Sequence, residues 1–200
     1  MAANRAEARK AIVMFLQALG RDPGADPELC TTAERVVDAW VDHLIDGYDV
    51  DVPALLTGES SPAPAGASGL VALKGLDVST ICPHHLLPAR GTASVLYLPG
   101  RLVVGLGTLG RLVAAWSHRL TFQEAIGANV ANSLVDHLGA RGAACMLSLS
   151  HDCLSARGGR QSGASVDTIT FAGTFSQPGP DRDLALLALS VPTLPREDGS

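Results

Sequence analysis

Two short patches of thiol and imidazole side chains stand out in this sequence. The first contains Cys82, His84 and His85, and the second contains His151 and Cys153. Thiolate and imidazole ligands favour zinc, whereas calcium and magnesium prefer oxygen ligands. The two patches together therefore predict one transition-metal site, with zinc (Zn2+) as the expected ion.

The spacing within each patch predicts that some of these side chains bind the metal and others stay free. If residues 146–153 form a strand, His151 and Cys153 point to the same face, so that one can bind the metal beside the other. His84 and His85 are consecutive and should point in different directions. Three protein ligands with an open fourth position are typical of catalytic zinc. The alternatives are a structural zinc site or buried cysteines with surface histidines, but neither patch has the C-x-x-C pair common in structural sites.

The composition indicates one globular chain without affinity for nucleic acid or membranes. Two hundred residues with 46% hydrophobic content can bury one core, and no apolar run approaches the ~20 residues of a membrane span. A net charge of −5 argues against bulk nucleic-acid binding. Residues 1–7 lack a hydrophobic signal core, so we expect a cytoplasmic protein. Cys30 and Cys145, outside the two patches, are expected to be small buried thiols.

Apolar periodicity predicts the elements that must position the two patches. Helical spacing is present over residues 5–19 and 37–44. Residues 58–68 are rich in Ser, Pro, Gly and Ala and predict a loop or flexible connection. We therefore divide the chain into an N-terminal helical segment with its linker (1–67) and a catalytic domain (68–200), which together form one structural unit.

The remainder of the chain alternates between strand and helix patterns. Strands are expected over 71–78, 92–98, 102–106, 144–150 and 166–175, and helices over 109–116, 121–138 and 181–189. The strands on either side of Pro99-Gly100 are expected to form a hairpin. This order of elements predicts an α+β domain with an antiparallel sheet and its helices on one side.

Four motifs occur in order along this part of the chain. They are Cys-x-His-His, Gly-Leu-x-x-x-x-Arg, Arg-x-x-x-Gln-Glu and His-x-Cys-x-x-x-Arg-Gly, which begin at Cys82, Gly105, Arg119 and His151. Together with the helical segment 32–40, they resemble the GTP cyclohydrolase I family from about Cys30 to Phe175. Several independent motifs in register are far more specific than any one alone.

The resemblance implies a tunnelling fold, in which an antiparallel sheet carries helices on one side and is here preceded by an N-terminal helical pair. It also implies a homo-oligomer, a decamer built from two stacked pentameric rings. In such an assembly each active site is shared between subunits, and exposed sheet edges pair with neighbouring chains.

Carried over residue by residue, the resemblance implies that Cys82, His85 and Cys153 are the zinc ligands and that His84 and His151 are catalytic. The implied reaction opens the imidazole ring of a guanine-type purine by hydration at C8, with zinc lowering the pKa of water towards ~7. A histidine protonates N7 of the purine; we assign this to His151, with His84 as a second proton-transfer group. From GTP the products are formate and 7,8-dihydroneopterin triphosphate.

The resemblance also implies five substrate-binding residues. These are Gln123 and Glu124 at the guanine edge and Arg35, Arg111 and Arg157 at the phosphates. Glu124 follows Thr121 by three positions, and that spacing alone favours a capping box at the start of a helix. A carboxylate also offers two acceptors to the N1–H and 2-amino groups of guanine, so with Arg119 and Gln123 in register we favour the substrate role.

The sequence departs from the family pattern where the phosphates would bind. Gly107-Thr108 stands where the family has Ser-Lys, Asp38 replaces a Lys, and Pro83 replaces a Glu. A lost charge-assisted contact typically costs about 1–3 kcal/mol. Cations that could compensate are Lys74, Arg141 and Arg160.

Three functions are consistent with this combination of motifs and departures. The first is a GTP cyclohydrolase I with an altered phosphate pocket. The second is a related zinc hydrolase of the same fold that acts on a purine or nucleoside with little or no phosphate. The third is a non-catalytic, zinc-bearing ring that binds a pterin, a purine or a protein partner. The third ranks last because His84, His151 and Glu124 are all present.

Overall fold

The computed structural model describes residues 3–66, 69–157 and 160–192. These residues form two compact units, one up to Asp46 and the other from Gly47 onward. The second unit contains all the candidate site residues except Arg35, together with a short helix and strand that precede residue 68. No helix in the described ranges is long and apolar enough to cross a membrane.

The first unit contains the two N-terminal helices. Helix α1 is Arg5–Ala18, and α2 is Thr32–Ala39, which continues into a π-helical turn at Trp40–Leu44. Asn4 caps α1, because its side-chain oxygen accepts a hydrogen bond from the backbone N–H of Glu7 at 3.2 Å. Ion pairs from Arg5 and Arg9 to Asp38 join the two helices. The helical pair expected from the sequence is therefore present.

The second unit contains six strands and five helices among its described residues. In chain order they are α3 Val52–Gly58, β1 Ser60–Pro62, β2 Val71–Ile81, β3 Pro88–Leu98, β4 Leu102–Val104, α4 Leu106–Ser117, α5 Gln123–Asp136, β5 Gly142–His151, α6 Asp152–Ser155, β6 Val166–Gly173 and α7 Pro180–Ser190. Short 3-10 turns lie at Asp46–Asp49 and Thr174–Ser176.

Four strands form the main antiparallel sheet, in the order β2-β3-β5-β6, and β1 pairs with β4 in a separate two-stranded sheet. This is the α+β architecture predicted from the sequence. The predicted hairpin between residues 92–98 and 102–106 is wrong, since β4 pairs with β1 and β3 pairs with β2 and β5. The three-residue β4 is too short to serve as the neighbour of the central, eleven-residue β3. Residues 58–68, expected to be only a loop, therefore include β1.

The alternation of side chains across β3 divides the apolar core into two parts. Val95 and Tyr97 face the larger cluster, formed with α4 and α5, whereas Leu96 and Leu98 face a smaller cluster around Phe175 and α7. This follows from the two-residue period of a strand. Helices α4 and α5 thus pack on one face of the sheet, and α7 covers part of the opposite face.

Close approach of backbones explains the glycine at position 91 in the middle of β3. Gly91 lies opposite Leu149 of β5, and a Cβ atom at this position would come within 2.0 Å of the carbonyl oxygen of Ser148. The contact is with backbone, which cannot move without disturbing the ladder. Gly91 therefore permits the β3–β5 register that runs on to His151.

We expect Gly91→Ala to lower the free energy of unfolding by about 1–3 kcal/mol, because overpacking against a strand backbone forces the ladder apart. Urea unfolding followed by circular dichroism measures the change. Gly107→Ala is the matched control, since a Cβ atom there meets nothing within 4 Å. Equal stability of the two variants would contradict this account of Gly91.

Candidate active site

The first thiol–imidazole patch forms the turn between β2 and β3. Two backbone hydrogen bonds of 2.9 Å close this turn, from Cys82 N–H to the Leu87 carbonyl and from Leu86 N–H to the Cys82 carbonyl. Leu86 has φ of +53°, a left-handed conformation that costs a non-glycine residue about 1–2 kcal/mol. The turn is therefore held in one shape by the strands on either side and by its own backbone.

The second patch meets this turn through strand pairing. Ala89, at the start of β3, lies opposite His151, the last residue of β5. The expectation that the strand continues to Cys153 is wrong, because α6 begins at Asp152. Antiparallel pairing still brings both His151 and Cys153 to the cavity beside the first patch.

Cys82, His85 and Cys153 form a three-residue group that can bind a metal ion. Their ligand atoms all lie within 4.8 Å of one another, and the Cys82 Sγ to His85 Nδ1 distance is 3.7 Å. Tetrahedral zinc places sulfur and nitrogen ligands about 3.5–3.8 Å apart, given Zn–S of about 2.3 Å and Zn–N of about 2.0–2.1 Å. The Cys82–His85 separation thus fits two ligands of one tetrahedral ion, and Cys153 is near enough to supply a third.

The surroundings of the Cys153 thiol shift its pKa. Burial raises the pKa of the Cys153 thiol, and the adjacent Cys82 raises it further, while the positive charge of Arg157 acts in the opposite direction. A raised thiol pKa disfavours a free thiolate at neutral pH, and a bound cation reverses this because it stabilises the thiolate.

The start of α5 forms another wall of the site. Leu120 pairs with Ile81 at the end of β2, and Thr121 donates its backbone N–H to the Ile81 carbonyl at 3.3 Å. The N-cap of α5 is Phe122, without a side-chain cap, so the capping box considered for Thr121 and Glu124 does not form. Glu124 is instead exposed and lines the cavity.

A buried amide holds the imidazole of His151. Gln123 is 3% exposed, and its amide nitrogen lies 2.8 Å from the Val166 carbonyl and 3.1 Å from the Leu147 carbonyl and the Thr168 hydroxyl. Carbonyl oxygens only accept hydrogen bonds, which fixes the amide orientation. The amide oxygen then faces His151 Nε2 at 2.9 Å, so that Nε2 must carry the proton and donate it. Nδ1 remains as the ring nitrogen that can exchange a proton.

His84 and His85 point in different directions. Their ring planes are at 79°, with centroids 6.0 Å apart, and the His84 ring packs on Phe122 at 5.1 Å. His84 therefore lines the cavity from the side of α5, while His85 belongs to the metal-binding group.

These residues surround one cavity of about 240 Å³. Its described lining includes the three metal-binding side chains, both other histidines, Gln123 and Glu124. Ligand pockets commonly have volumes of about 300–1,000 Å³. The space formed by one chain is thus small for a nucleotide.

The predicted phosphate-binding arginines lie outside the lining of this cavity. Arg111 is paired with Glu59, Arg157 is exposed close to Cys153, and Arg35 is exposed on α2 in the first unit. Gly158, which completes the last motif, lies outside the described residues. The structure therefore brings together the residues expected at the metal and the guanine ring, but not those expected at the phosphates.

Two other charged residues considered for the phosphate region, Asp38 and Lys74, have partners of their own. Asp38 accepts hydrogen bonds from Arg5 at 3.0 Å and Arg9 at 3.3 Å. Lys74 donates to the backbone carbonyls of Ala188 and Val191 beside the end of α7. Neither side chain forms part of the described cavity lining.

Sequence reasoning missed two features of the second unit. Arg119 is structural: it donates to the Ala115 and Gly47 carbonyls at 2.7 and 2.8 Å and lies over the Trp116 ring. The second is Glu59, within the predicted linker, whose contact with Arg111 spans 52 positions. No local sequence pattern signals either contact.

Burial separates the two remaining cysteines, which the sequence analysis treated alike. Cys145 is buried as expected, and burial raises its pKa to about 12. Cys30 is exposed, so that expectation is wrong for Cys30; its thiol donates to the Pro27 carbonyl at 3.0 Å. Cys30 lies in the turn-rich stretch just before α2, which leaves its side chain exposed.

Comparison with known proteins matches most of the chain to one family. The family model described as GTP cyclohydrolase I matches residues 8–188. A GTP cyclohydrolase 1 from Leifsonia xyli subsp. xyli is 36% identical over 184 residues, covering 92% of this chain and 95% of that protein. The corresponding protein from Chromobacterium violaceum is 42% identical over 158 residues, covering 79% and 75%. That from Maricaulis maris is 35% identical over 181 residues, covering 90% and 85%.

Thiol labelling tests the metal group without any assay of activity. At pH 8 the metal-free protein should react with a disulfide reagent at Cys30, Cys82 and Cys153, while Cys145 stays unreacted until unfolding because of its burial and raised pKa. Cys153 should react more slowly than Cys30 and faster as pH rises, since its raised pKa lowers its thiolate fraction.

Zinc should protect Cys82 and Cys153 from the disulfide reagent and leave Cys30 reactive. Mass spectrometry of the labelled protein locates the modified cysteines. His137→Ala, at an exposed histidine outside the group, is the control and should leave the protection intact, whereas His85→Ala should weaken it. Unchanged labelling of Cys82 and Cys153 in the presence of zinc would contradict the metal site.

Proposed function

This chain belongs to the GTP cyclohydrolase I family, and we propose that it is a zinc-dependent cyclohydrolase that opens the imidazole ring of GTP by hydration at C8. One observation carries the proposal: the metal-binding group, two further histidines and the Glu124 carboxylate line a single cavity. A structural metal site would require neither the histidines nor the carboxylate. This argues against a non-catalytic ring.

We assign the metal to Cys82, His85 and Cys153, whose ligand atoms lie within 4.8 Å of one another and of which Cys82 and His85 are at a separation that fits zinc. When bound in such a site, zinc makes water nucleophilic near neutral pH. Across the reaction, water adds over the C8–N7 bond, the C8–N9 bond breaks, and a second water releases formate. Rearrangement of the ribose and ring closure, with loss of one water, then give 7,8-dihydroneopterin triphosphate.

His151 is the proposed proton donor to N7 of the purine. Its Nε2–H is held by the buried Gln123 amide, so that proton exchange with the substrate takes place at Nδ1. Gln123 therefore acts on the substrate through His151, as a positioning residue. His84, beside Phe122, is the second proton-transfer group.

Glu124 is the proposed anchor of the guanine ring. It is exposed in the cavity and does not cap α5. Its two carboxylate oxygens match the N1–H and 2-amino donors on one edge of guanine, a two-point contact that orients the ring. Adenine lacks both the N1–H and the 2-amino donor, so Glu124 would select guanine-type purines.

A second candidate substrate is a guanine-type purine or nucleoside with little or no phosphate. The observation that favours it is the ion pair of Arg111 with Glu59, which neutralises a cation expected at the phosphates. The metal and guanine residues are the same for both candidates, so only the phosphate dependence separates them.

We also propose a homo-oligomer, a decamer of two pentameric rings, in the cytoplasm. Three observations support an assembly. Strands β2 and β6 are the edges of the described main sheet, the apolar side chains of Phe15 and Leu19 are 59% and 61% exposed, and the cavity of one chain is small and lacks the phosphate arginines. Neighbouring subunits would pair the edges and complete the cavity.

Light scattering after gel filtration tests the assembly. We expect a mass about ten times the 20.6 kDa of the chain, stable on dilution to micromolar concentrations. A particle with the mass of one chain that still turns over substrate would contradict both the assembly and the shared site.

Formate release by zinc-loaded protein tests the activity, with GTP, GMP, guanosine and guanine compared in parallel. We expect His151→Ala to lower kcat by about 10²–10⁴-fold, the usual contribution of a general acid, while retaining zinc. Cys153→Ala should lose both zinc and activity, and chelation should abolish formate release from the unmodified protein.

The control is His137→Ala, at an exposed histidine outside the cavity, which should retain full activity. Turnover by metal-free protein would contradict the mechanism. Turnover of guanosine or guanine but not of GTP would establish the second candidate substrate instead of the first.

A further inference from the structure

A carboxylate from outside the cavity is bound to the start of α4. Glu59 accepts a hydrogen bond from the Thr108 hydroxyl at 2.5 Å and forms an ion pair with the Arg111 guanidinium. The Arg111 guanidinium also lies 3.4 Å from the Thr108 hydroxyl. Thr108 and Arg111 are one helical turn apart, so both donors face the same carboxylate.

The position of Glu59 is set by the fold. Glu59 follows the last residue of α3 and precedes β1, and Ser60 of β1 pairs with Val104 of β4. Val104 is followed by Gly105, the N-cap of α4. The short β1–β4 pair therefore places the Glu59 carboxylate next to the first turn of α4.

The contact with Glu59 neutralises the charge of Arg111 before any ligand binds. The pKa of the Glu59 carboxyl is lowered mainly by the hydrogen bond from Thr108 and, to a smaller extent, by the hydrogen bond from Arg111. The carboxylate is therefore ionised at neutral pH. One positive and one negative charge then cancel. A guanidinium suits phosphate oxygens as well as it suits a carboxylate, so the two anions compete for the same donors.

Thr108 adds to this effect. It is only 2% exposed, and its hydroxyl is already donated to Glu59. The position therefore offers an incoming phosphate neither a charge nor a free donor. A phosphate oxygen that approaches Arg111 meets the Glu59 carboxylate beside it.

We propose that Glu59 is a specificity-determining residue that competes with substrate phosphate for Arg111 and so lowers the dependence of this site on the triphosphate. The inference rests on the proposed function in assigning Arg111 to the phosphates. The expected substrate class is then guanine-type nucleosides and nucleotides that bind mainly through the purine ring, with little discrimination by phosphate number.

Equilibrium binding to the zinc-loaded protein tests this with GTP, guanosine and inorganic tripolyphosphate as probes, at low and at physiological salt. We expect Glu59→Gln to bind GTP and tripolyphosphate about tenfold more tightly, the effect of freeing one charge-assisted contact. Guanosine affinity should change less than twofold. The gain should shrink at higher salt, because a freed surface charge is screened.

Two further variants make the result specific. Glu28→Gln removes an exposed carboxylate of the first unit and should change none of the three affinities. In an Arg111→Gln background, Glu59→Gln should give no gain, because the competition requires both partners. Equal changes for all three probes, or a gain that persists without Arg111, would overturn the proposal, since a purely structural role for Glu59 acts on every ligand alike.

The binding experiment also separates this inference from the proposed activity. Absence of formate release from every purine would contradict the activity but would leave the tripolyphosphate comparison decisive for Glu59. Formate release from GTP together with unchanged phosphate affinity in Glu59→Gln would support the activity and overturn the role of Glu59.

Discussion

The antiparallel pairing of β3 with both β2 and β5 is the constraint on which the site depends. The turn that carries Cys82, His84 and His85 lies between β2 and β3, and the pairing of Ala89 with His151 brings the end of β5 beside it. Residues that are far apart in the chain thereby meet at one end of the sheet. The backbone of the turn is strained at Leu86. Pairing of the two flanking strands fixes both ends of the turn and so offsets the free-energy cost of this strain.

The chemistry of the site depends next on one buried amide. Gln123 joins α5 to β5 and β6 through its amide nitrogen and holds His151 through its oxygen. An unpaired amide in this position would cost about 1–3 kcal/mol, so these hydrogen bonds favour the observed placement of the start of α5. The orientation of the His151 imidazole is thus tied to the packing of three elements, and the proton on Nε2 is a consequence of that packing.

The two ends of a nucleotide would meet different environments in this protein. The residues predicted to bind the metal and the guanine ring line one cavity. The three arginines predicted at the phosphates lie outside the lining of this cavity, and Arg111 is paired with Glu59. The anionic Asp38 pairs with Arg5 and Arg9. A single carboxylate, Glu59, is enough to cancel the charge of one arginine predicted at the phosphates.

The sequence by itself determined the two thiol–imidazole patches, the α+β class, the helices α1, α2, α4 and α5 and the family, because thiol and imidazole spacing and apolar periodicity are local properties. Tertiary structure alone decided which elements pair: β4 joins β1 rather than β3, since a central strand buried on both faces needs long neighbours. It also decided that Cys153 lies on a helical turn, that Gln123 faces inward to His151, and that Glu59 reaches Arg111. Each of these depends on contacts between residues distant in the chain, which no local pattern encodes.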